Sequence, residues 1–451
     1  VIRVLGVKGP PRIAIADDAG LIYSDDWRMG WLSGFKRMGC EVMAVDVSSL
    51  RRASGGGILS SRGTTAVRAL SDSILKWKPD LVWCHHGRAA GNESFLSQFK
   101  RRGIPTAVYL CDEPYEVGET ARYSPRFDFV FTMDLCTLKA HLESRPQPQR
   151  NGVFYLPACV DDLLFTQRDY SHRPVSAFFL GNPMLKPREP YLRAIEKLVA
   201  GADIRYWPRP KAGRKAIVAK GNPDWIPWNR HPEFYASCVV GLNIHRDPGI
   251  TADCFRMRVD RRPHSMAVPT GLSLCKEKPA SDGTGFWNDA NLPASHVNPR
   301  FFEMAACGTL VVSDDSRSEL RRMFPMAPRA ADVDHFVELV LYYIAHQDEA
   351  EEIGAACSRQ VLRRHTYQHR VGEVLTRVGL MELVPEEKRS SLGAPLDWLS
   401  PQDSALPEDR SRSEPTGPSE RWSPASGLSW TRGSGSPKDL SSLDVPQPWL
   451  S

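Results

Sequence analysis

Apolar and polar positions alternate along this chain in two rhythms. Short runs rich in β-branched and aromatic residues have the length and composition of buried strands: "RIAIA" (12–16), "EVMAVDV" (41–47), "PDLVWCHHG" (79–87), "PTAVYLCDEP" (105–114), "FDFVFTMD" (127–134) and "GVFYLPACVD" (152–161). Between them lie stretches with apolar residues at helical spacing: 27–38 (Trp31, Leu32, Phe35, Met38), 66–77, 93–102 and 135–142. Such alternation predicts a doubly wound parallel sheet. The polar groups after the strands (Asp17 and Asp18, His85 and His86, Asp112 and Glu113, Asp134) then share the carboxyl edge, where open α/β sheets bind ligands. GxGxxG is absent, and "RRASGGGILSSRG" (51–63) lacks the Walker lysine, so it reads as a plain flexible loop.

A second unit of the same kind begins near Arg173. "VSAFFLG" (175–181) predicts a strand and 188–198 a helix; 199–233 is irregular, basic and aromatic. "YASCVVGLNIH" (235–245) runs from a helix end into a strand, and a long insertion follows over 246–292. In "NPRFFEMAACGTLVVSDD" (298–315), Asn298 and Pro299 read as a helix N-cap and first helical position. Gly308 suits a left-handed exit, and Thr309 to Ser313 form a buried strand. Glu303 is the one charge within the apolar body of that helix, held either in solvent at its rim or against a ligand. Helices over 333–346, 349–365 and 368–378 close the body. From Pro385 serine, proline and glycine dominate, a composition that cannot offset its chain entropy and predicts disorder. The expected organisation is therefore a first Rossmann-like domain over 1–170, a second over 171–384 and a tail over 385–451.

Composition narrows the function. The ten cysteines are scattered without a CxxC pair, which favours reduced thiols in a cytoplasmic setting over disulfides or zinc. No run approaches a membrane span, and no secretion signal precedes Pro10-Pro11 in a chain that opens without Met. The formal charge is +5, but seven basic and eleven acidic residues fall from Met381 onward, so the body carries about +9. That balance suits an anionic ligand such as a nucleotide.

The motifs and their order carry a resemblance. "LPACVDDLLF" (156–165), "FLGN" with "REPYL" (179–182, 188–192), "PEFYASCVVGLNIH" (232–245), "NPRFFEMAACGTLVVSDD" and "RHTYQHRVGEVL" (364–375) together resemble the GT-B glycosyltransferases of the family-4-like group, particularly the CgeB-type spore-maturation branch. The resemblance implies two Rossmann-like domains facing a central cleft, with a nucleotide-sugar donor on the second and an unidentified glycan, protein or other hydroxyl acceptor on the first. It also implies hexosyl transfer without a cofactor or bound metal, so the Asp17-Asp18 and Asp314-Asp315 pairs are assigned none.

By that resemblance Glu303 binds the donor ribose hydroxyls. Arg300, one turn earlier, either pairs with Glu303 or approaches the diphosphate. Gly181 and Asn182 precede a helix whose N–H groups favour phosphate, Arg188 and Lys186 add charge there, and Gly308 and Thr309 complete the donor set. The family often carries a glutamate eight residues before the second one; here that position is Ser295, which puts sugar specificity and the anomeric outcome in question. His245, His85 and His86 end strands, either as acid–base groups or as structural histidines. Asp112 is either a base toward an acceptor hydroxyl or a helix cap. The basic, aromatic stretch 205–230 is either a surface loop or a nucleic-acid contact. Three functions follow: a glycosyltransferase, a silent sugar-nucleotide or glycan-binding scaffold on the same fold, and a glycosyltransferase or binding module acting on nucleic acid.

Overall fold

The computed structural model describes residues 9–17, 24–50, 61–86, 90–147, 149–168, 173–181, 187–206, 226–246, 288 and 292–392. Asn182, Lys186, the loop at 51–60, the stretch 207–225, nearly all of the insertion and the chain beyond 392 lie outside these.

The first domain contains β1 (Arg12–Asp17), α1 (Ser24–Arg37), β2 (Glu41–Asp46), α2 (Ser61–Trp77), β3 (Leu81–His85) and α3 (Glu93–Lys100). It continues through β4 (Thr106–Leu110), α4 (Val117–Tyr123), β5 (Phe129–Thr132), α5 (Leu138–Glu143) and β6 (Val153–Tyr155). Its strands are parallel, in the order β2-β1-β3-β4-β5-β6. The second domain contains β7 (Val175–Gly181), α6 (Arg188–Leu198), β8 (Ala202–Tyr206), α7 (His231–Ala236), β9 (Cys238–Asn243), α8 (Pro299–Ala306) and β10 (Leu310–Asp314). Then come α9 (Ser318–Met323), β11 (Arg329–Ala330), α10 (Val333–Ala345), α11 (Gln347–Arg364), α12 (Tyr367–Arg377) and α13 (Glu386–Ser390). Its parallel order is β11-β10-β9-β7-β8. These are the two Rossmann-like parallel sheets, flanked by helices, that the sequence leads one to expect.

Both sheets are covered on two faces, so their central strands read as continuous apolar runs rather than alternating ones. Every residue of β3, β4, β9 and β10 is buried. On one face of the first sheet Trp31, Phe35, Trp83 and Tyr109 form a ring cluster, with Trp31 and Trp83 4.5 Å apart. The strand order reverses between β1 and β3 and again between β7 and β9. These two switch points open crevices at the carboxyl ends of the strands.

The last long helix departs from its expected place. By sequence position α12 belongs to the second domain, yet it packs on α1 of the first. A Cβ on Gly30 would lie 2.1 Å from the Tyr367 ring, and one on Gly34 3.0 Å from Val371. The glycines are thus a seat for α12, and the ring of Tyr367 joins the Trp31 cluster at 5.3 Å. Beside it the hinge segment crosses: Val160 bonds the His365 carbonyl, and Tyr367 N–H returns a bond to Val160. Arg370 ties the crossing together. It is buried, and its guanidinium donates to the carbonyls of Pro157, Ala158 and Arg364 and to Nδ1 of His365. The fold also runs past its expected limit at 384, because Pro385 packs at Gly39 and Leu392 at Gly372.

Removing the Arg370 guanidinium strands three carbonyls and an imidazole in a dry crossing. Arg370→Met is expected to lower stability by about 3 kcal/mol or more in urea unfolding, whereas the exposed Arg363→Met changes it by less than about 0.5 kcal/mol. Equal effects would refute this role for Arg370.

Candidate functional site

The site is built at the β7/β9 switch point. Gly181 ends β7, and a Cβ there would meet the Phe179 ring at 2.9 Å and Nη1 of Arg300 at 3.0 Å. Glycine is required because the Arg300 guanidinium lies against the backbone. Arg300 occupies the first turn of α8, whose start is fixed by Asn298 accepting from Phe301 N–H at 3.1 Å, with Pro299 following. Beneath it, Arg188 opens α6 in a buried position and donates Nε–H to the Ile244 carbonyl at 2.7 Å. Arg246 follows β9 at the same edge. Burial and the charges of Arg300 and Arg246 push the Arg188 guanidinium down to about 9. Three cations gathered at a sheet's carboxyl edge make an anion site.

Glu303 lies one helical turn from Arg300, half-buried. Tyr235 donates its hydroxyl to Oε2 at 3.1 Å, and Trp228 adds a further bond. Tyr235 is held by the rings of Phe165 and Phe178. Burial raises the Glu303 carboxyl to about 7, against the opposing pull of Arg300 and the two donors. Its proton is therefore exchangeable near neutrality.

The first domain brings an acidic and aromatic edge to these cations. Asp112 approaches Arg246 at 3.3 Å, and the Arg246 guanidinium lies 3.3 Å above the Tyr115 ring. Buried Arg317 donates to the Tyr115 hydroxyl at 2.9 Å and to the Arg246 carbonyl. His86 Nε2 sits 3.2 Å from Asp112 and 3.5 Å from Glu116. Glu113 belongs to the interior: it is fully buried, and it accepts from Thr120.

His245 has a structural setting. Its Nδ1 lies 3.1 Å from Asp314, its backbone N–H donates to the same carboxylate at 2.6 Å, and Nε2 is 3.4 Å from Asn243. Burial lowers its pKa to about 4 despite Asp314. The neutral imidazole joins the ends of β9 and β10. Two residues of the expected donor set lie elsewhere. Gly308 and Thr309 precede β10 and therefore sit at the opposite, amino edge of the sheet. Gly308 takes the expected left-handed conformation (φ +79°) beside Gln167, and the Thr309 hydroxyl is given to the Tyr235 carbonyl. Both serve the turn from helix to strand.

Ser295 is bound across the domains. Its N–H and Oγ–H donate to Asp134, which also accepts from His296 N–H and pairs with His296 Nδ1 at 2.8 Å. Burial works against the charge on Asp134, but His296, Ser295 and the Cys136 N–H together lower its pKa to about 2. Ser295 also contacts Glu319, to which Tyr155 donates its hydroxyl. Burial, reinforced by Asp134, raises Glu319 to about 8. Sequence reasoning had singled out Ser295 and Asp134 separately. It missed Arg246, Arg317, Tyr115 and Tyr235, whose roles depend on contacts between distant segments.

Residues 286–376, which include Ser295, Arg300, Glu303 and Arg317, match the glycosyl transferase-like family. No curated protein matches the chain. Among solved structures, Anabaena HepE in complex with UDP and glucose is similar at 11% identity and a TM-score of 0.46, covering 81% of this chain and 99% of that one. Sucrose-phosphate synthase from Thermosynechococcus elongatus is similar at 9% identity and a TM-score of 0.44, covering 82% and 99%. An α1,3-fucosyltransferase with GDP is similar at 9% identity and a TM-score of 0.39, covering 84% and 94%.

Two measurements test the geometry. The Glu303 carboxyl is raised from 4.5 to about 7 in the folded chain. Its contribution to stability is therefore complete below about pH 4.5 and lost as the pH rises through about 7. Relative to wild type, Glu303→Gln is expected to raise Tm near pH 8 and leave it unchanged near pH 4.5; a pH-independent difference counts against this environment. At the domain contact, Ser295→Glu sets a carboxylate against Asp134. It is expected to lower Tm more at pH 7 than Ser295→Ala does, and equal effects would refute the contact.

Proposed function

We propose that this chain, glycosyl transferase-like over 286–376 and built as two Rossmann-like domains, moves a sugar from a nucleotide-diphosphate donor to a hydroxyl acceptor. The observation that carries the reading is the pairing of Glu303 with the arginine edge at the β7/β9 switch point. An ionised carboxylate accepts two hydrogen bonds from a ribose diol, a directional contact in a partly dry crevice. One helical turn away, Arg300 approaches the backbone of Gly181, and Arg188 and Arg246 supply charge at the same edge. This spacing suits a nucleoside whose ribose lies on Glu303 and whose diphosphate lies on the arginines.

Transfer of the sugar leaves a nucleoside diphosphate with additional negative charge. Fixed cations aimed at that charge stabilise its departure without reorganising. On this reading the arginines provide the neutralisation at the donor diphosphate, with no metal ion needed at that side of the cleft. The acceptor enters from the first domain, where Asp112, with its side chain 45% exposed, is the accessible carboxylate and the candidate proton acceptor. His245, enclosed by Asp314 and Asn243, positions the edge. The order of motifs over 175–375 favours the CgeB-type branch.

Calorimetry with uridine-, guanosine-, thymidine- and adenosine-diphosphate sugars tests the donor site. One nucleotide is expected to bind, with Glu303→Ala costing about 1.5–3 kcal/mol and affinity falling below about pH 7 as Glu303 takes up its proton. Release of nucleoside diphosphate in the presence of acceptor extracts separates an enzyme from a silent scaffold. Absence of binding, or an unchanged affinity in folded Glu303→Ala, overturns the donor assignment.

A further inference from the structure

Beside the other switch point, at the carboxyl ends of β3 and β4, lies a second cluster that the donor site does not use. His86 follows β3, Cys111 and Asp112 follow β4, and Glu116 lies just before α4. Donor atoms of His86, Cys111 and Asp112 all fall within 4.8 Å of one another. His86 Nε2 is 3.2 Å from Asp112 Oδ2 and 3.5 Å from Glu116 Oε2. In a tetrahedral site with N and O ligands at about 2.0–2.1 Å, ligand atoms stand about 3.3–3.4 Å apart. The His86–Asp112 separation of 3.2 Å lies close to that value.

The surroundings hold these groups in place. His86 adopts a left-handed backbone (φ 66°), which costs a β-carbon residue energy and persists only where neighbours impose it. Here they do: its N–H donates to the Tyr109 carbonyl, and its own carbonyl accepts from the Tyr123 hydroxyl at 2.6 Å. The other oxygen of Asp112 is engaged by Arg246 at 3.3 Å, which fixes the orientation of the carboxylate. Of the eight cysteines among the described residues, six are buried and only Cys111 and Cys136 reach the surface.

We infer that His86, Cys111 and Asp112 form a binding site for a divalent cation of the zinc class on the acceptor side of the cleft, with Glu116 beside His86. The mixed nitrogen, sulfur and oxygen donors suit a borderline first-row ion rather than magnesium or calcium. Charge balances as well: the Cys111 thiolate and the Asp112 carboxylate offset the two charges of the cation. The half-exposed Asp112 leaves the site open toward the cleft. Binding of the ion does not depend on the donor reading. Its use does: with Asp112 coordinated, that carboxylate is no longer the free proton acceptor, and the ion would instead lower the pKa of an acceptor hydroxyl.

Cobalt alone is the probe, titrated into metal-stripped full-length protein. One equivalent is expected to bind, to give a thiolate-to-cobalt charge-transfer band, and to be displaced by zinc. The band should vanish in Cys111→Ser and persist in Cys136→Ser, while Asp112→Asn and His86→Gln weaken binding at least about tenfold. Circular dichroism confirms that each variant folds, and Asp112→Asn, nearly isosteric, serves if His86→Gln does not. No stoichiometric binding, no charge-transfer band, a band that survives Cys111→Ser, or affinity indifferent to Asp112→Asn overturns the site. Since nucleotide is absent, failure here leaves the donor assignment standing, and failure of the donor assignment leaves this result readable.

Discussion

A single buried cation fixes how the two halves of this protein meet. Arg370 lies at the crossing of the hinge segment and the last long helix, and its bonds go to three carbonyls and an imidazole rather than to a carboxylate. A carboxylate would tie it to one side chain; carbonyls tie it to the backbone on both sides of the crossing. Burial pushes His365 well below its ordinary pKa, with Arg370 adding to that effect, so the imidazole is neutral and can accept. Desolvation of the guanidinium is then offset by bonds with fixed geometry. Around this anchor the glycines of α1 admit Tyr367, whose ring completes the aromatic cluster of the first domain. Every contact across the cleft inherits its geometry from that crossing.

The edges held in this way are electrostatically opposite. The first domain contributes Asp17, Asp112 and Glu116 at its switch point, and the second contributes Arg188, Arg246 and Arg300. They touch through Asp112 and Arg246, with the Tyr115 ring stacked beneath the guanidinium. In the reading proposed, a donor diphosphate meets the cationic edge while the acceptor meets the anionic one. Arg246 then belongs to both. Its charge is shared between a protein carboxylate and a ligand phosphate, so filling of one side of the cleft alters the other.

Much of this was legible in the sequence, for identifiable reasons. The apolar runs of β1, β3, β4, β9 and β10 are buried on both faces, so composition alone marks them. Asn298, Pro299 and Gly308 announce the ends of α8 by their backbone preferences, and Glu303 stands out as a charge on an apolar helix. The elements that escaped lack such pressure. "ADIRY" of β8 is an edge strand whose Asp203 and Arg205 pair with each other, so its pattern resembles a loop. The resemblance groups Gly308 and Thr309 with the donor set, and in sequence they stand close to Glu303. A short helix reverses direction between the two edges of a sheet, however, and nearness in sequence becomes distance in space. Arg246, Arg317 and Tyr115 meet from segments far apart in the chain, and no local signal marks them.

The departure at Ser295 has a physical explanation of the same kind. A glutamate there would stand against Asp134 and Glu319, two acids already crowded enough that Glu319 is raised to about 8 by burial and by its neighbour. Asp134 keeps its charge only because Ser295, His296 and the Cys136 N–H surround it with donors. The family's first glutamate and this cross-domain contact therefore exclude one another. Where such a glutamate faces ligand, the ligand helps to hold the cleft; here the protein holds that corner itself, through a serine hydroxyl and a neutral imidazole.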